Sequence, residues 1–122
     1  MGLHTPVQDC GLSEGERQLL CLCRALVANG GQHSLRALLC DEPTSNVDYG
    51  SDERVMAVML GLQCTVLINA HRLQHIRMFD RVCVMERGTV VEQGSPEALL
   101  ADSSTRVSDM WHASKLGDRS AE

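Results

Sequence analysis

Two adjacent carboxylates, Asp41 and Glu42, close the apolar run Ala37-Leu38-Leu39-Cys40 and are followed by Pro43. Acids leaving a buried strand diverge, so one can hold a Mg²⁺ shell while its neighbour orients a water. Read alone, the pair is equally an acidic turn at a strand end. A second feature is Leu12-Ser13-Glu14-Gly15-Glu16, which opens a helical pattern. A helix start offers unpaired amides and a positive dipole end, and the Ser13 hydroxyl adds a donor suited to phosphate. The plain alternative is ordinary capping. A third is His71, just past a second apolar run, where an imidazole can meet a phosphate or help polarise water; a surface histidine would look the same.

The surrounding pattern says what must position these groups. Ser13 with Glu16 fits a capping box, and Leu19, Leu20, Leu22, Cys23, Leu26 and Val27 recur at helical spacing until Asn29-Gly30-Gly31 stops them. Residues 29–35 read as a polar loop. Ala37–Cys40 reads as a strand buried on both faces, with the carboxylates at its exit because Pro43 disfavours helical geometry at Glu42. The pattern then predicts a helix over Ser51–Gly61 and a second buried strand, Cys64–Asn69. A short helix over Leu73–Met78 leads into extended pieces at Arg81–Glu86 and Thr89–Gln93, joined by a turn at Arg87-Gly88. Ser95-Pro96-Glu97 reads as a cap, a proline at the first helical position and an acidic first turn, opening a helix through Ala101. From Ala113 the chain reads as a polar, frayed tail. Strands alternating with helices make the fold class α/β with parallel strands.

Composition narrows the function. At 122 residues the chain suits one small domain. Its 11 basic against 16 acidic residues give a net charge of −5, the wrong sign for a nucleic-acid-binding face. Aromatic residues are 2% of the chain, too few for a base-stacking platform, so the core is expected to be aliphatic. The longest apolar stretch, Val55–Leu62, falls short of the roughly 18 residues that span a bilayer. Met1–Cys10 lacks the basic start and apolar stretch of a signal peptide. Cys21, Cys23, Cys40, Cys64 and Cys83 lie in apolar segments and are expected to be small buried hydrophobes, as suits a reducing compartment.

Taken in order, these features resemble the ATP-binding cassette (ABC) ATPases. Gly11-Leu12-Ser13-Glu14-Gly15-Glu16-Arg17-Gln18 resembles the signature motif. Ala37–Glu42 resembles Walker B, Ser45-Asn46-Val47-Asp48 the D-loop, Ala70-His71-Arg72-Leu73 the switch-histidine loop, and Gly88–Pro96 the closing hairpin and helix start of the transporter type. The likeness runs from about Gly2 to Trp111. The Arg17–Leu22 segment is most similar to subfamily C, the multidrug-resistance-protein exporters, and the presence of Glu42 points to the second nucleotide-binding domain.

The resemblance implies a partial P-loop NTPase (RecA-like) core with a C-terminal β-hairpin. Residues 1–112 would be the C-terminal half of a nucleotide-binding domain and 113–122 a polar tail. It implies ATP and Mg²⁺, with Asp41 holding the metal, Glu42 acting as the base that orients water, and His71 on the γ-phosphate. Ser13, Gly15 and Glu16 would face ATP held by a partner cassette, with Asp48 signalling between the two sites. The implied partners are a second nucleotide-binding domain and transmembrane domains, with no nucleic acid. The implied location is the cytoplasmic face of a membrane.

Two departures stand out. No Gly-x-x-x-x-Gly-Lys-Ser/Thr loop occurs, and Lys115 is the only lysine, so the phosphate-loop half is missing. The chain alone is therefore expected to be inactive and to bind ATP weakly. Glu16 stands where the family usually has Gln, and Glu14 adds a second carboxylate beside the phosphate site, which should weaken it. The same motifs occur in chromosome-maintenance ATPase heads, which Glu16 would suit, but the hairpin and acidic charge do not. A degenerate, non-catalytic cassette fragment is the other alternative. His71 and His75 are four residues apart, but no further ligands for zinc converge in the sequence.

Overall fold

The computed structural model describes residues 4–28 and 35–118, so most of the expected loop at 29–35 lies outside the described residues. The chain forms two compact units, residues 1–71 and 72–122.

In the first unit a 3₁₀ turn, Val7–Asp9, precedes helix α1 (Glu14–Ala28), strand β1 (Ala37–Asp41), helix α2 (Tyr49–Leu60) and strand β2 (Thr65–Asn69). β1 and β2 are parallel, pairing Ala37 with Thr65, Leu39 with Leu67 and Asp41 with Asn69. The expectation that these strands are buried on both faces is corrected. The face carrying Leu38 is covered, and Cys40 Sγ lies 3.8 Å from Sδ of the fully buried Met59 on α2. On the other face Leu39 is 74% exposed and Leu67 is 64% exposed. Apolar character says what a side chain can tolerate, not what covers it, and parallel sheets normally carry layers on both faces. The buried hydrophobic residues of this unit are Leu38, Val47, Met56, Met59 and Leu62, with the polar Thr44 and Asp52 buried beside them.

The cysteines also depart from expectation. Cys21, Cys23 and Cys83 are exposed, and Cys40 and Cys64 are half-buried. On α1 the apolar residues outnumber the positions on one covered face, so Cys21, Cys23, Leu20 and Val27 are left outside. Burial, assisted by the neighbouring Cys64, raises the pKa of the Cys40 thiol. That disfavours the reactive thiolate.

The second unit has a 3₁₀ helix at Leu73–Met78, where the sequence predicts a short helix. It continues with the hairpin β3 (Val82–Glu86) and β4 (Thr89–Gly94), then helices α3 (Pro96–Ala101) and α4 (Arg106–Asp118). Arg87 (φ 49°) and Gly88 (φ 79°) both take left-handed geometry, as a two-residue turn between right-twisted strands requires. Ile76, Leu99 and Val107 form the core, with Leu73, Val82, Val84, Leu100 and Trp111 packed around it. Ser95 caps α3 by accepting from Ala98 N–H, and Pro96 opens the helix, as the sequence indicates.

The reading of a frayed tail from Ala113 is corrected, because α4 carries the backbone through Asp118. Its start is held from the hairpin: the Glu92 carboxylate accepts from the Arg106 and Val107 N–H groups at 3.0 and 2.9 Å. Thr105 Oγ1 accepts from Ser108 N–H at 3.1 Å. Trp111 carries the cations of Arg77 and Lys115 at 5.9 and 4.8 Å from its ring centre.

Candidate functional site

The ends of β1 and β2 meet because the strands are parallel and in register at their last residues. Asn69 Nδ2 donates to Asp41 Oδ1 at 2.7 Å, and the Asn69 carbonyl accepts from Glu42 N–H at 2.8 Å. Immediately past the ladder Glu42 takes φ 46°, left-handed and uncommon for a residue with a side chain. Such a conformation costs of order 1–3 kcal/mol and persists only where neighbours hold it. Here the main-chain bond to Asn69 holds one side, and Ser45 N–H donates to the Glu42 carbonyl at 3.2 Å on the other. The kink aims the Glu42 side chain at the histidine: His71 Nε2 lies 2.8 Å from Glu42 Oε1. With side-chain exposures of 79% for His71 and 40% for Glu42, the pair adds little to stability. Asp41, Glu42 and His71, singled out in the sequence, are thus brought together at one sheet end.

Asp41 and Glu42 offer hard carboxylate oxygens, the donor type that Mg²⁺ prefers. Among the described residues no group of three or more His, Cys, Asp and Glu is gathered around a common point. The two carboxylates of Asp41 and Glu42 suit Mg²⁺, which commonly takes one or two carboxylates and completes its shell with water and substrate phosphates. A cleft of ≈ 300 Å³ runs between α1 and β1, lined by Arg17, Gln18, Leu22, Leu38, Asp41 and Pro43 among others. Asp41 stands on its wall.

The start of α1 is a capping box, as the sequence predicts. Ser13 N–H donates to Glu16 Oε2 at 2.8 Å, and Glu16 N–H donates to Ser13 Oγ at 3.2 Å. The bond from the Ser13 backbone, then that from its hydroxyl, lowers the pKa of Glu16 below the usual carboxylate range. The carboxylate of Glu16 therefore already occupies donors that a phosphate would otherwise meet. Glu14 reaches Arg17 at 3.7 Å.

Gly15 is the buried residue of α1, and its backbone lies against the turn that follows β1. Gln18 ties the two together, donating to Ser45 Oγ at 3.0 Å and accepting from Asn46 N–H at 3.3 Å. Asp48 ends the turn as the cap of α2, accepting from Ser51 N–H at 3.0 Å. The Ser51 side chain, then its backbone N–H, lowers the Asp48 pKa. Ser13, Gly15, Glu16 and Asp48 thus belong to two neighbouring segments joined by Gln18. His75 is buried, with Nε2 3.1 Å from Gln74 Nε2.

Sequence reasoning missed Asn69 and Gln18 as partners. Asn69 carried a usable signal, since a polar amide ending the run Thr65-Val66-Leu67-Ile68 is unusual in a strand. Gln18 carried none: a glutamine on an exposed helix face is ordinary.

No model of a protein family matches the chain. The chain is 38% identical over 115 residues, 93% of its length, to "ABC multidrug transporter B" of Aspergillus fumigatus. It is 40% identical over 107 residues to the "Alpha-hemolysin translocation ATP-binding protein HlyB" of Escherichia coli, and 44% identical over 98 residues to the "ABC-type transporter cicA" of Emericella nidulans. It spans only 8%, 14% and 7% of the length of these three relatives, respectively. A solved structure of a bacterial Atm1-family ABC exporter with ATP bound superposes with a TM-score of 0.71 at 32% identity, over 84% of this chain and 17% of that one. Among the described residues no helix is long and apolar enough to cross a membrane.

Proposed function

We propose that this chain belongs to the ABC ATPases and forms the C-terminal half of a nucleotide-binding domain that powers an exporter. The observation that carries the reading is the meeting of Glu42 and His71 at 2.8 Å beside Asp41, at the ends of two paired parallel strands. Open α/β sheets bind ligands at that end of their strands. Relatives named as multidrug and toxin exporters support the transporter over a chromosome-maintenance head.

Each residue has a role in hydrolysis. Mg²⁺, when bound with ATP, neutralises charge on the phosphates, and Asp41 would hold it. Glu42 orients a water in line with the γ-phosphorus and accepts its proton as the new P–O bond forms and the bond to the ADP oxygen breaks. His71 fixes Glu42 and meets the γ-phosphate. Ser13, Gly15 and Glu16 face ATP held by a partner cassette, and Asp48 reports between the two sites. The partners are that second nucleotide-binding domain and transmembrane domains, at the cytoplasmic face of a membrane. The Arg17–Leu22 segment and the presence of Glu42 support subfamily C and the second cassette.

The chain alone is inactive in this reading and binds ATP weakly. Its sequence contains no phosphate loop, and Leu39 and Leu67 lie open on the sheet face. The test is complementation: the purified chain is mixed with a phosphate-loop-bearing half cassette and labelled ATP. Retention of ATP by the mixture and by neither piece alone supports the reading. Retention by the isolated chain, or by no combination, refutes it. A degenerate, non-catalytic fragment is favoured by Glu14 and Glu16 at the helix start; it predicts ATP retention by the mixture without hydrolysis.

A further inference from the structure

We infer that Asn69 is a positioning residue for the cation-binding carboxylate, an inference that rests on the reading of Asp41 as the Mg²⁺ ligand. Asn69 does two separable things. Its main-chain carbonyl accepts from Glu42 N–H at 2.8 Å, which any residue at this position could do. Its side-chain amide donates to Asp41 Oδ1 at 2.7 Å, which needs a donor of this length on this face. Asp41 and Asn69 are register partners, so the contact follows from strand pairing rather than from a mobile loop.

The residue choice runs against its surroundings. Asn is disfavoured in strands, and Leu39 and Leu67, two residues earlier on the same face, form the preceding cross-strand pair and are apolar. An amide in that row is explained by what it holds. A carboxylate on an exposed strand end can rotate; a charge-assisted bond to Oδ1 fixes its plane and leaves Oδ2 to meet a cation. One oxygen offered singly suits Mg²⁺ and Mn²⁺ better than the two-oxygen grip that Ca²⁺ often takes. Groups that hydrogen-bond a metal-ligating carboxylate typically change metal affinity 10–100-fold when removed.

The test uses Mn²⁺ alone as probe and needs no hydrolysis. The 122-residue chain, ¹⁵N-labelled, is titrated with MnCl₂, and the paramagnetic broadening of each amide signal is followed. Broadening is expected first at residues 41, 42 and 69–71. Asn69→Leu keeps the size and the main chain but lacks the donor. The expected result is a rise of about tenfold in the Mn²⁺ concentration for half-broadening, with the melting temperature retained. Asn69→Val, which favours strands and also lacks a donor, repeats the readout should the leucine variant fail to fold.

Asp41→Asn separates the role of Asn69 from that of Asp41. Local broadening lost in Asp41→Asn but unchanged in both Asn69 variants overturns the role of Asn69 and leaves the reading of Asp41 standing. Broadening absent from the wild type, or unchanged in Asp41→Asn, overturns that reading and this inference with it.

Discussion

Gly15→Ala sets two well-measured effects against each other. In a helix this exchange ordinarily stabilises by about 0.5–1 kcal/mol, because alanine loses less backbone freedom on folding. At position 15 an added Cβ would stand 2.5 Å from the Asn46 carbonyl oxygen, 3.2 Å from its carbon and 3.4 Å from Val47 Cα. All three are main-chain atoms in a turn held to Gln18, so no side chain can swing away. Overpacking of this kind costs about 1–3 kcal/mol, and the net expectation is destabilisation by about 1–2 kcal/mol. Gly50 in α2 is the control: a Cβ there meets only Asp48 Oδ1, at 3.6 Å. Gly50→Ala should therefore be neutral or stabilising by up to about 1 kcal/mol. Urea denaturation followed by far-UV circular dichroism, with per-residue hydrogen exchange in α1 and residues 43–48, reads both. A Gly15→Ala protein as stable as the wild type, with Gly50→Ala behaving as stated, would refute the close contact between α1 and the turn.

Glu92→Ala removes the acceptor for the first two N–H groups of α4 and should cost about 1–2 kcal/mol, the scale of a lost helix cap, read by Trp111 fluorescence during unfolding. Met59→Ala opens a cavity at a fully buried position and should cost about 2–5 kcal/mol in thermal unfolding. The depressed pKa of Glu16 means its stabilising effect is present above the ordinary value of about 4.3 and is lost as pH falls through the lower folded value. The Ser13 amide chemical shift should therefore move on acidification through the lowered Glu16 pKa, below the ordinary glutamate range, and show no such step in Glu16→Gln. In a complete cassette pair, the same substitution should tighten ATP binding by removing a carboxylate from the phosphate-facing helix start, as measured by nucleotide titration.

The sequence made individual side-chain partners legible wherever the chemistry is local. Ser13 with Glu16, Ser95 with Pro96, and the Arg87-Gly88 turn each depend on neighbours within four residues, and each forms as the pattern indicates. The apolar runs of β1 and β2 were equally plain, but the exposure of Leu39 and Leu67 was not, because it depends on what packs beside them. α4 lacked a signal for a different reason: its residues 113–118 offer only Ala113 and Leu116 as apolar side chains, and its start is capped by Glu92, fourteen residues before Arg106. The convergence of Asp41, Glu42 and His71 followed from their places after two apolar strands. The means by which it is held did not follow, since the left-handed turn at Glu42 and the Asn69 amide are tertiary facts.

Hydrolysis by Glu42→Gln in a complete cassette bears most directly on the account, because the substitution keeps the shape of the side chain and removes its capacity to accept a proton. The expected result is retained ATP binding with the rate of phosphate release reduced by about 10²-fold or more, the scale of a lost general base. An unchanged rate, with ATP bound equally well, would contradict the assignment of Glu42 and the chemistry built around it.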